Sequence, residues 1–585
     1  MTPNRPGAAG PAGVAAGELL ALLGHHLHDR PDGIACHIGG RAPLTVGNAR
    51  LARTVEETTA ALALAGVRHG MRAVLLVHPG VDLVALALAL LRLGAVPVLV
   101  DPGMPYAAIR RCLERAAPEA FIGVPLAQAA RLALGWARRS NRVTITVGPR
   151  RFWPGHTLAS LRAAARRHAP EPPGRLTGAG PQAAARRLAR EYPAGGPATG
   201  SPSYAPAAGD VALIACTSGS TGPPKGVPLR HRHLAAQLEL LGGLRLIRPD
   251  TSVLSTFLPF ALAATALGAT AVIPDVDPRR PIRADFAALA TDILRHRVTT
   301  VFAAPALLDR LARHCVSRGV VLDTVETVAV AGAPLPLPTL ERVRRCLPRA
   351  ARVLSVYGAT ECLPVAAIEG ADLRAAAVEH PGTGTCLGRP VTGVQVRVIG
   401  VTDQAIGLWS DELLVPVGTL GEILVASPAL GDPYLDDPRA TSLARIADGN
   451  RVWHRMGDLG HLDGHGRLWF AGRRSERVRA PGGDLCTEHV EPLFAALPGV
   501  RRTALVGVGP AGAQRPILVV EREPGARRAG VRAAVLEHAA RHPHSAGIQE
   551  VLFHPGFPVD ARHNSKIRRH VLAAWASRRL RAGLR

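Results

Sequence analysis

The stretch from Val74 to Val100 is the most apolar in the chain, and its interruptions constrain what it can become. His78, Pro79, Asp82 and Arg92 break it. A membrane-spanning helix needs about 20 consecutive apolar residues, so this is not a transmembrane segment. It reads as strand Ala73–Val77, a turn, helix Val81–Leu93 and strand Val96–Val100. Apolar strands joined through a helix belong to a parallel sheet with helices on its faces. The same reading predicts buried strands at Ala120–Gly123, Val143–Val147, Val211–Cys216, Val298–Phe302 and Val325–Val330, and a helix from His231 to Leu241.

At 585 residues the chain exceeds one ordinary core. From Val394 the pattern turns β-rich, with Val394–Ile399 and Gly421–Val425. Phe470–Gly472 ends a strand, and the residues beyond carry their own alternating pattern at Thr503–Gly507, Pro516–Glu521 and Val531–His538. The fold class is therefore α/β. A large N-terminal domain, residues 1–471, has parallel and mixed sheets, helices and a β-rich subdomain. A small α+β C-terminal domain spans 472–585. The segment 170–209, dense in Pro, Gly, Ala, Ser and Arg, reads as a surface insertion.

Composition narrows the function classes. Net charge is +25, which invites a nucleic-acid reading. The arginines are scattered in pairs such as Arg138-Arg139, Arg166-Arg167 and Arg344-Arg345, and only 4% of residues are aromatic, so base-stacking platforms are not expected. No nucleic-acid partner is expected. Eight widely spaced cysteines without a CxxC signal neither a metal site nor a redox pair, and they fit a reducing cytoplasm. Residues Met1–Ala16 lack the apolar core of a signal peptide.

Of 70 basic lysine and arginine side chains only two are lysines, Lys225 and Lys566. An ammonium is a compact point charge on a thin stem, whereas guanidinium is a wide planar fork. The two lysines mark places where the fork would not fit. The first ends the loop Thr217-Ser218-Gly219-Ser220-Thr221-Gly222-Pro223-Pro224-Lys225-Gly226, which follows a predicted strand. Glycines let such a backbone turn its N–H groups inward, and hydroxyls and one ammonium add donors, so the loop suits phosphates. It is not a Walker A loop, because Lys225 is neither preceded by Gly nor followed by Ser/Thr.

This ordered string resembles the phosphate loop of the adenylate-forming superfamily: acyl-CoA synthetases, peptide-synthetase adenylation domains and luciferases. Other motifs follow in the family's order. Val356-Tyr357-Gly358-Ala359-Thr360-Glu361 is similar to its second signature. The match implies that Tyr357 and Gly358 border the adenine, with Tyr357 stacked on it. Thr360 would touch phosphate and Glu361 would hold Mg²⁺. Gly332-Ala333-Pro334 resembles the segment lining the adenine pocket. Arg455-Met456-Gly457-Asp458-Leu459 resembles the ribose motif, with Asp458 accepting from the ribose hydroxyls. Gly472-Arg473 resembles the start of the hinge, where Arg473 would approach the nucleotide. Arg562-His563-Asn564-Ser565-Lys566-Ile567 resembles the C-terminal catalytic loop. Lys566 would bridge the substrate carboxylate and the α-phosphate. The resemblance thus implies an ATP- and Mg²⁺-dependent ligase with catalytic Lys566, Glu361, Thr360 and Lys225, and a mobile C-terminal domain.

At the hinge the chain departs from the family pattern. Ser475 stands where an acidic residue is expected, Arg479 where a lysine is, and His489-Val490-Glu491 replaces Glu-Ile-Glu, while Gly482 fits. Thioester formation is thereby in doubt. Val96–Gly103, Phe121–Ala130, Val272–Pro278, Tyr357–Val365 and His554–Lys566 are similar to one subfamily, the olefin β-lactone synthetases. That resemblance implies a long-chain 2-alkyl-3-hydroxy acid substrate and no requirement for CoA. It also implies pathway partners: a β-lactone decarboxylase and a ketone reductase. A fatty acyl-CoA or acyl-AMP ligase is the alternative on the same fold, and a non-catalytic nucleotide-binding relative is a second. Phe257–Gly268 reads equally as acyl pocket or as core. His231 and His233 read as candidate bases for the β-hydroxyl or as surface helix positions.

Overall fold

The computed structural model describes residues 27, 29–40, 43–168, 206–217, 224–559 and 567–583. Residues Met1–Ala16, most of the 170–209 insertion, the loop residues Ser218–Pro223 and Lys566 lie outside the described residues.

Two sheets form the large N-terminal part. The first has seven strands in the order His156–Thr157, Val143–Thr146, Ala120–Gly123, Arg72–Leu76, Val96–Leu99, Val211–Cys216, Gly226–Arg230. Its neighbours are parallel except the last pair. The second sheet has a parallel half running from Ile34–Ile38 through Thr270–Ile273, Ser252–Ser255, Thr300–Ala303 and Thr327–Ala331 to Arg352–Ala359. It continues as an antiparallel ribbon through Cys362–Glu369, Thr385–Pro390, Leu468–Arg473, Arg451–Leu462, Gly421–Ala426 and Gln395–Ile399.

The helix Val81–Arg92 explains the most apolar stretch of the sequence. Val84, Ala85 and Leu88 face the core of the second sheet, while Leu83, Leu86 and Leu90 face that of the first. A helix buried on both sides must be apolar all round. Its one acid, Asp82, pairs with Arg162 at 2.6 Å. Among the described residues no helix is long and apolar enough to cross a membrane.

Beyond Gly472 the chain builds a separate three-stranded sheet, Val500–Val508, Arg515–Arg522 and Glu550–Phe553, backed by helices Arg528–Ala540 and Arg569–Gly583. The segment Val531–His538, grouped with the strand patterns above, lies in the first of these helices. Val531, Val535 and Ala539 are its buried residues, a four-residue spacing that fits a helix face and no strand. The strand expected at Val298–Phe302 is Thr300–Ala303, because Val298 fills the core before the ladder begins.

Candidate active site

Strands Thr327–Ala331 and Arg352–Ala359 run parallel, with Ala331 opposite Val356. Gly332-Ala333-Pro334 therefore leaves the sheet beside Tyr357, at the carboxyl ends of the strands, where open α/β sheets bind ligands. Gly332 has φ +92°, a left-handed conformation that suits glycine. After Ala359 the chain reverses: Ala359 pairs with Cys362, so Thr360 and Glu361 form a two-residue hairpin tip. A Cβ on Gly358 would lie 2.7 Å from Leu363 Cδ1 and 2.9 Å from the Cys362 carbonyl oxygen, so the turn needs glycine there. Thr360 is exposed and Glu361 half-buried.

Asp458 comes to this hairpin from strand Arg451–Leu462. The Tyr357 hydroxyl donates to Asp458 Oδ2 at 2.6 Å, and Arg473, its register partner across the ladder, reaches Oδ1 at 2.9 Å. Asp458 is 2% exposed. Its charge raises the Arg473 guanidinium, and burial followed by Asp458 pushes the Tyr357 phenol well above its ordinary range. A carboxylate oxygen has two lone-pair directions, so both can still accept from a ligand hydroxyl.

The second cluster surrounds Glu361. The Tyr434 hydroxyl donates to Glu361 Oε1 at 2.7 Å, and the Lys225 ammonium lies 4.3 Å from the centre of the Tyr434 ring. Burial works against the Glu361 charge, but His454, the Tyr434 hydroxyl and Lys225 outweigh it and hold the carboxyl below its ordinary value. Burial lowers the Lys225 ammonium, partly offset by Glu361 and Asp437. His454, buried beside Tyr434 with ring centres 6.4 Å apart, is pushed down to about 3 by burial and then by Arg445. Arg445 donates to the carbonyls of Gly431 and Asp432 at 2.8 and 3.1 Å, and the Gly431 N–H donates to the Glu361 carbonyl at 2.9 Å. Sequence reasoning missed Tyr434, His454 and Arg445. One signal was available: the chain has five tyrosines, so an isolated Tyr434 is nearly as telling as a lysine.

The described ends of the phosphate-type loop meet in a hairpin. The Thr217 N–H donates to the Lys225 carbonyl at 2.9 Å, and the Lys225 N–H donates to Thr217 Oγ1 at 3.2 Å. Ser218, Gly219, Ser220, Thr221 and Gly222 lie outside the described residues, as does Lys566. Arg569, three positions after Lys566, is held by Glu491 and Glu476 at 2.8 Å each. The structure thus brings Tyr357, Asp458 and Arg473 into one cluster and Lys225 and Glu361 into another, with Gly332 beside Tyr357.

Other candidates take different places. His231 and His233 are 2% and 4% exposed, so they are not surface positions. His233 Nδ1 accepts the Arg230 N–H at the start of its helix, and burial lowers it to about 4. In Phe257–Gly268, Phe260 stacks on Phe302 at 3.7 Å and Ala261, Ala264 and Ala266 enter the core, while Phe257 and Leu262 remain partly exposed. Ser475 is exposed, and Arg479 pairs with Asp403 at 2.9 Å. All eight cysteines are buried and free. Among the described residues no group of three or more His, Cys, Asp or Glu side chains forms a metal cage. A single half-buried carboxylate at a loop tip instead fits Mg²⁺ shared with phosphates, the usual protein contribution for this ion.

The described residues thus place a carboxylate–phenol pair at the strand ends and, apart from it, an ammonium and a carboxylate that both touch one tyrosine. The family model for AMP-binding enzymes matches residues 25–435. The chain belongs to that family, the adenylate-forming ligases, and groups within it with the olefin β-lactone synthetases. It is 44% identical to the olefin β-lactone synthetase of Stenotrophomonas maltophilia, over 96% of this chain and 98% of the relative. It is also 44% identical to the one of Xanthomonas campestris pv. campestris, over 96% and 97%. Among solved structures, the amide bond synthetase McbA from Marinactinospora thermotolerans shares the fold, with a TM-score of 0.73 and 22% identity over 95% of this chain and 99% of that one.

Proposed function

We propose that the protein converts a long-chain 2-alkyl-3-hydroxy acid, with ATP, into a β-lactone, AMP and pyrophosphate. The observation that carries this reading is the 44% identity to two enzymes named olefin β-lactone synthetase, which extends over 96% of the chain. The substrate carboxylate displaces pyrophosphate from ATP to give an acyl-AMP. The substrate's own β-hydroxyl then attacks the acyl carbon and expels AMP, closing a four-membered ring. Because the nucleophile is tethered, a bimolecular step becomes intramolecular, which offsets part of the ring strain, and no thiol is needed.

In this reading residues 1–471 bind nucleotide and 472–585 carry the catalytic lysine. Tyr357 stacks on adenine against Gly332-Ala333-Pro334 and Gly358, Asp458 accepts from the ribose, and Arg473 stands behind that carboxylate. The loop from Thr217 to Gly222, with Lys225 and Thr360, receives the phosphates through N–H, hydroxyl and ammonium donors. Mg²⁺, when bound at Glu361, supplies neutralising charge to the triphosphate. Lys566 stabilises the charge that builds as carboxylate attacks phosphorus. A cytoplasmic location fits the eight free cysteines. The similarity to olefin β-lactone synthetases suggests a β-lactone decarboxylase and a ketone reductase as pathway partners.

The test is a product assay with a 2-alkyl-3-hydroxy fatty acid, ATP and Mg²⁺, with and without CoA, read by mass spectrometry and infrared. A CoA-independent product lighter by one water, with a strained lactone carbonyl band, is expected. A thioester formed only with CoA would leave a fatty acyl-CoA ligase instead.

A further inference from the structure

Tyr434 touches two residues of the candidate site at once, and the two touches use different parts of the phenol. Its hydroxyl donates to Glu361 at 2.7 Å, while its ring face lies 4.3 Å from the Lys225 ammonium. We propose that Tyr434 is a positioning residue that holds Lys225 and Glu361 apart and aimed, so that both meet an incoming triphosphate uncollapsed. The proposal rests on the reading of Lys225 and Glu361 as nucleotide ligands.

Two opposite charges in a half-buried place attract strongly. A direct ion pair would consume both: the lysine would lose its freedom to turn to phosphate, and the carboxylate would be neutralised. No ion pair within 4.0 Å joins Lys225 to Glu361; the ring face of Tyr434 takes the ammonium and its hydroxyl takes the carboxylate. A ring face holds an ammonium through its quadrupole, more weakly than a carboxylate does, so the contact gives way when phosphate arrives. The hydroxyl fixes the carboxylate's rotation and occupies one of about four lone-pair positions, leaving room for a divalent ion.

The phenol is itself braced. Tyr434 is 7% exposed and packs with Val227, Leu229 and Ala444. Its N–H donates to Thr441 Oγ1 at 3.1 Å. The same loop carries Gly431, whose N–H holds the Glu361 carbonyl, and Arg445 ties down the Gly431 and Asp432 carbonyls. Glu361 is thus referenced to this loop at its backbone and at its side chain. That double attachment is what a spacer requires and what a mere core tyrosine would not need.

The test separates ring from hydroxyl with Tyr434→Phe and Tyr434→Leu, using calorimetric titration of ATP into the full chain with and without Mg²⁺. The Phe variant keeps the spacer and loses the hydroxyl bond to a charged group, so its Mg²⁺ concentration for half-maximal tightening of ATP should rise about 10-fold, while metal-free ATP binding stays unchanged. The Leu variant loses the spacer as well, so metal-free ATP binding should also weaken, by about 10-fold or more. In a Glu361→Gln background the Phe substitution should have no further effect on the Mg²⁺ requirement. Equal losses in Phe and Leu variants, or none in either with thermal unfolding unchanged, would overturn the proposal. Lys225→Ala is the control: if it leaves ATP binding intact, the nucleotide reading of the loop has failed rather than the role of Tyr434. Should the Leu variant not fold, the Phe variant's Mg²⁺ shift still decides.

Discussion

The Tyr357 hydroxyl donates to Asp458 Oδ2 at 2.6 Å across 101 residues of sequence, and Arg473 holds the other oxygen of the same carboxylate at 2.9 Å. Two motifs that are far apart in the chain therefore share one hydrogen-bonded unit. If Asp458 receives the ribose, removing it costs charged hydrogen bonds, about 1.5–3 kcal/mol, or roughly 10- to 150-fold in affinity. Asp458→Ala should weaken ATP binding by that amount. Tyr357→Phe keeps the ring for stacking and leaves Arg473 on the carboxylate, so its loss should stay within about 10-fold. Calorimetric ATP titration of both variants decides; equal losses would show that the hydroxyl does more than orient Asp458.

Arg455 belongs to the same motif as Asp458 yet does a different job. Its guanidinium meets Glu422 at 2.6 Å with both side chains essentially inaccessible, 1% and 0% exposed, and it also donates to the carbonyls of Thr402 and Gln404. Arg474 joins the same carboxylate at 3.1 Å. Removing Arg455 leaves the buried Glu422 charge with Arg474 alone and takes donors from two carbonyls, so the cost should approach that of a fully stranded charge, about 3–5 kcal/mol. Arg455→Ala should lower the urea midpoint markedly without changing ATP affinity of the folded fraction. A paired Arg455→Met, Glu422→Leu replacement takes the carboxylate from Arg474 as well, so it should recover only part of the loss. An ATP defect in a normally stable Arg455→Ala protein would move this residue into the site.

The fold was legible where one element carries one signal. The strand–helix–strand unit around Val81–Arg92 stood out because a helix between two sheets is apolar all round. The strand Val211–Cys216 was bounded by the loop that follows it. The hairpin tip Thr360-Glu361 and the loop closed by Thr217 and Lys225 lie in the two strings that carry the family resemblance. Tyr434 and Arg445 were not, since Tyr434 joins Glu361 across 73 residues and only the folded chain makes them neighbours. His231 and His233 read in the sequence as candidate bases or as surface helix positions; both are buried, and His233 Nδ1 accepts the Arg230 N–H at the helix start.

Glu488 gives the protein a pH dependence that can be read from its surroundings. Thr385, in the large N-terminal part, donates its hydroxyl to Glu488 Oε2 at 2.9 Å. Burial, and then the Glu491 charge, push the Glu488 carboxyl up to about 7 from an ordinary 4.5. The folded chain thus keeps a proton that the unfolded chain releases, so this group's stabilisation is full below pH 4.5 and is lost as pH rises through about 7. Glu488→Gln keeps an acceptor for Thr385 and abolishes the titration. Its thermal midpoint should equal the parent's near pH 4.5 and exceed it increasingly up to about pH 7, then run parallel. A constant offset across that range would mean that Glu488 is ionised throughout.

The two lysines make the sharpest prediction, because the chain has had every opportunity to replace them with arginine. Lys225 sits on the Tyr434 ring at 4.3 Å, in a place buried enough to lower its ammonium. A guanidinium there would be wider and would lie flat on the ring, turning its donors sideways instead of towards the loop. Lys225→Arg should therefore fail to restore ATP affinity and resemble Lys225→Ala within about threefold, although the charge is preserved. Lys566 faces a different demand. If it meets charge that develops only as carboxylate attacks phosphorus, its loss acts on the rate rather than on binding. Lys566→Ala should bind ATP normally and release pyrophosphate more slowly by about 10²–10³-fold, the range seen when one donor to a developing oxyanion is removed. Calorimetry and a pyrophosphate assay on the same preparations separate the two roles. Unchanged pyrophosphate release in Lys566→Ala would remove that residue from the reaction, and full rescue by Lys225→Arg would mean that charge alone was needed.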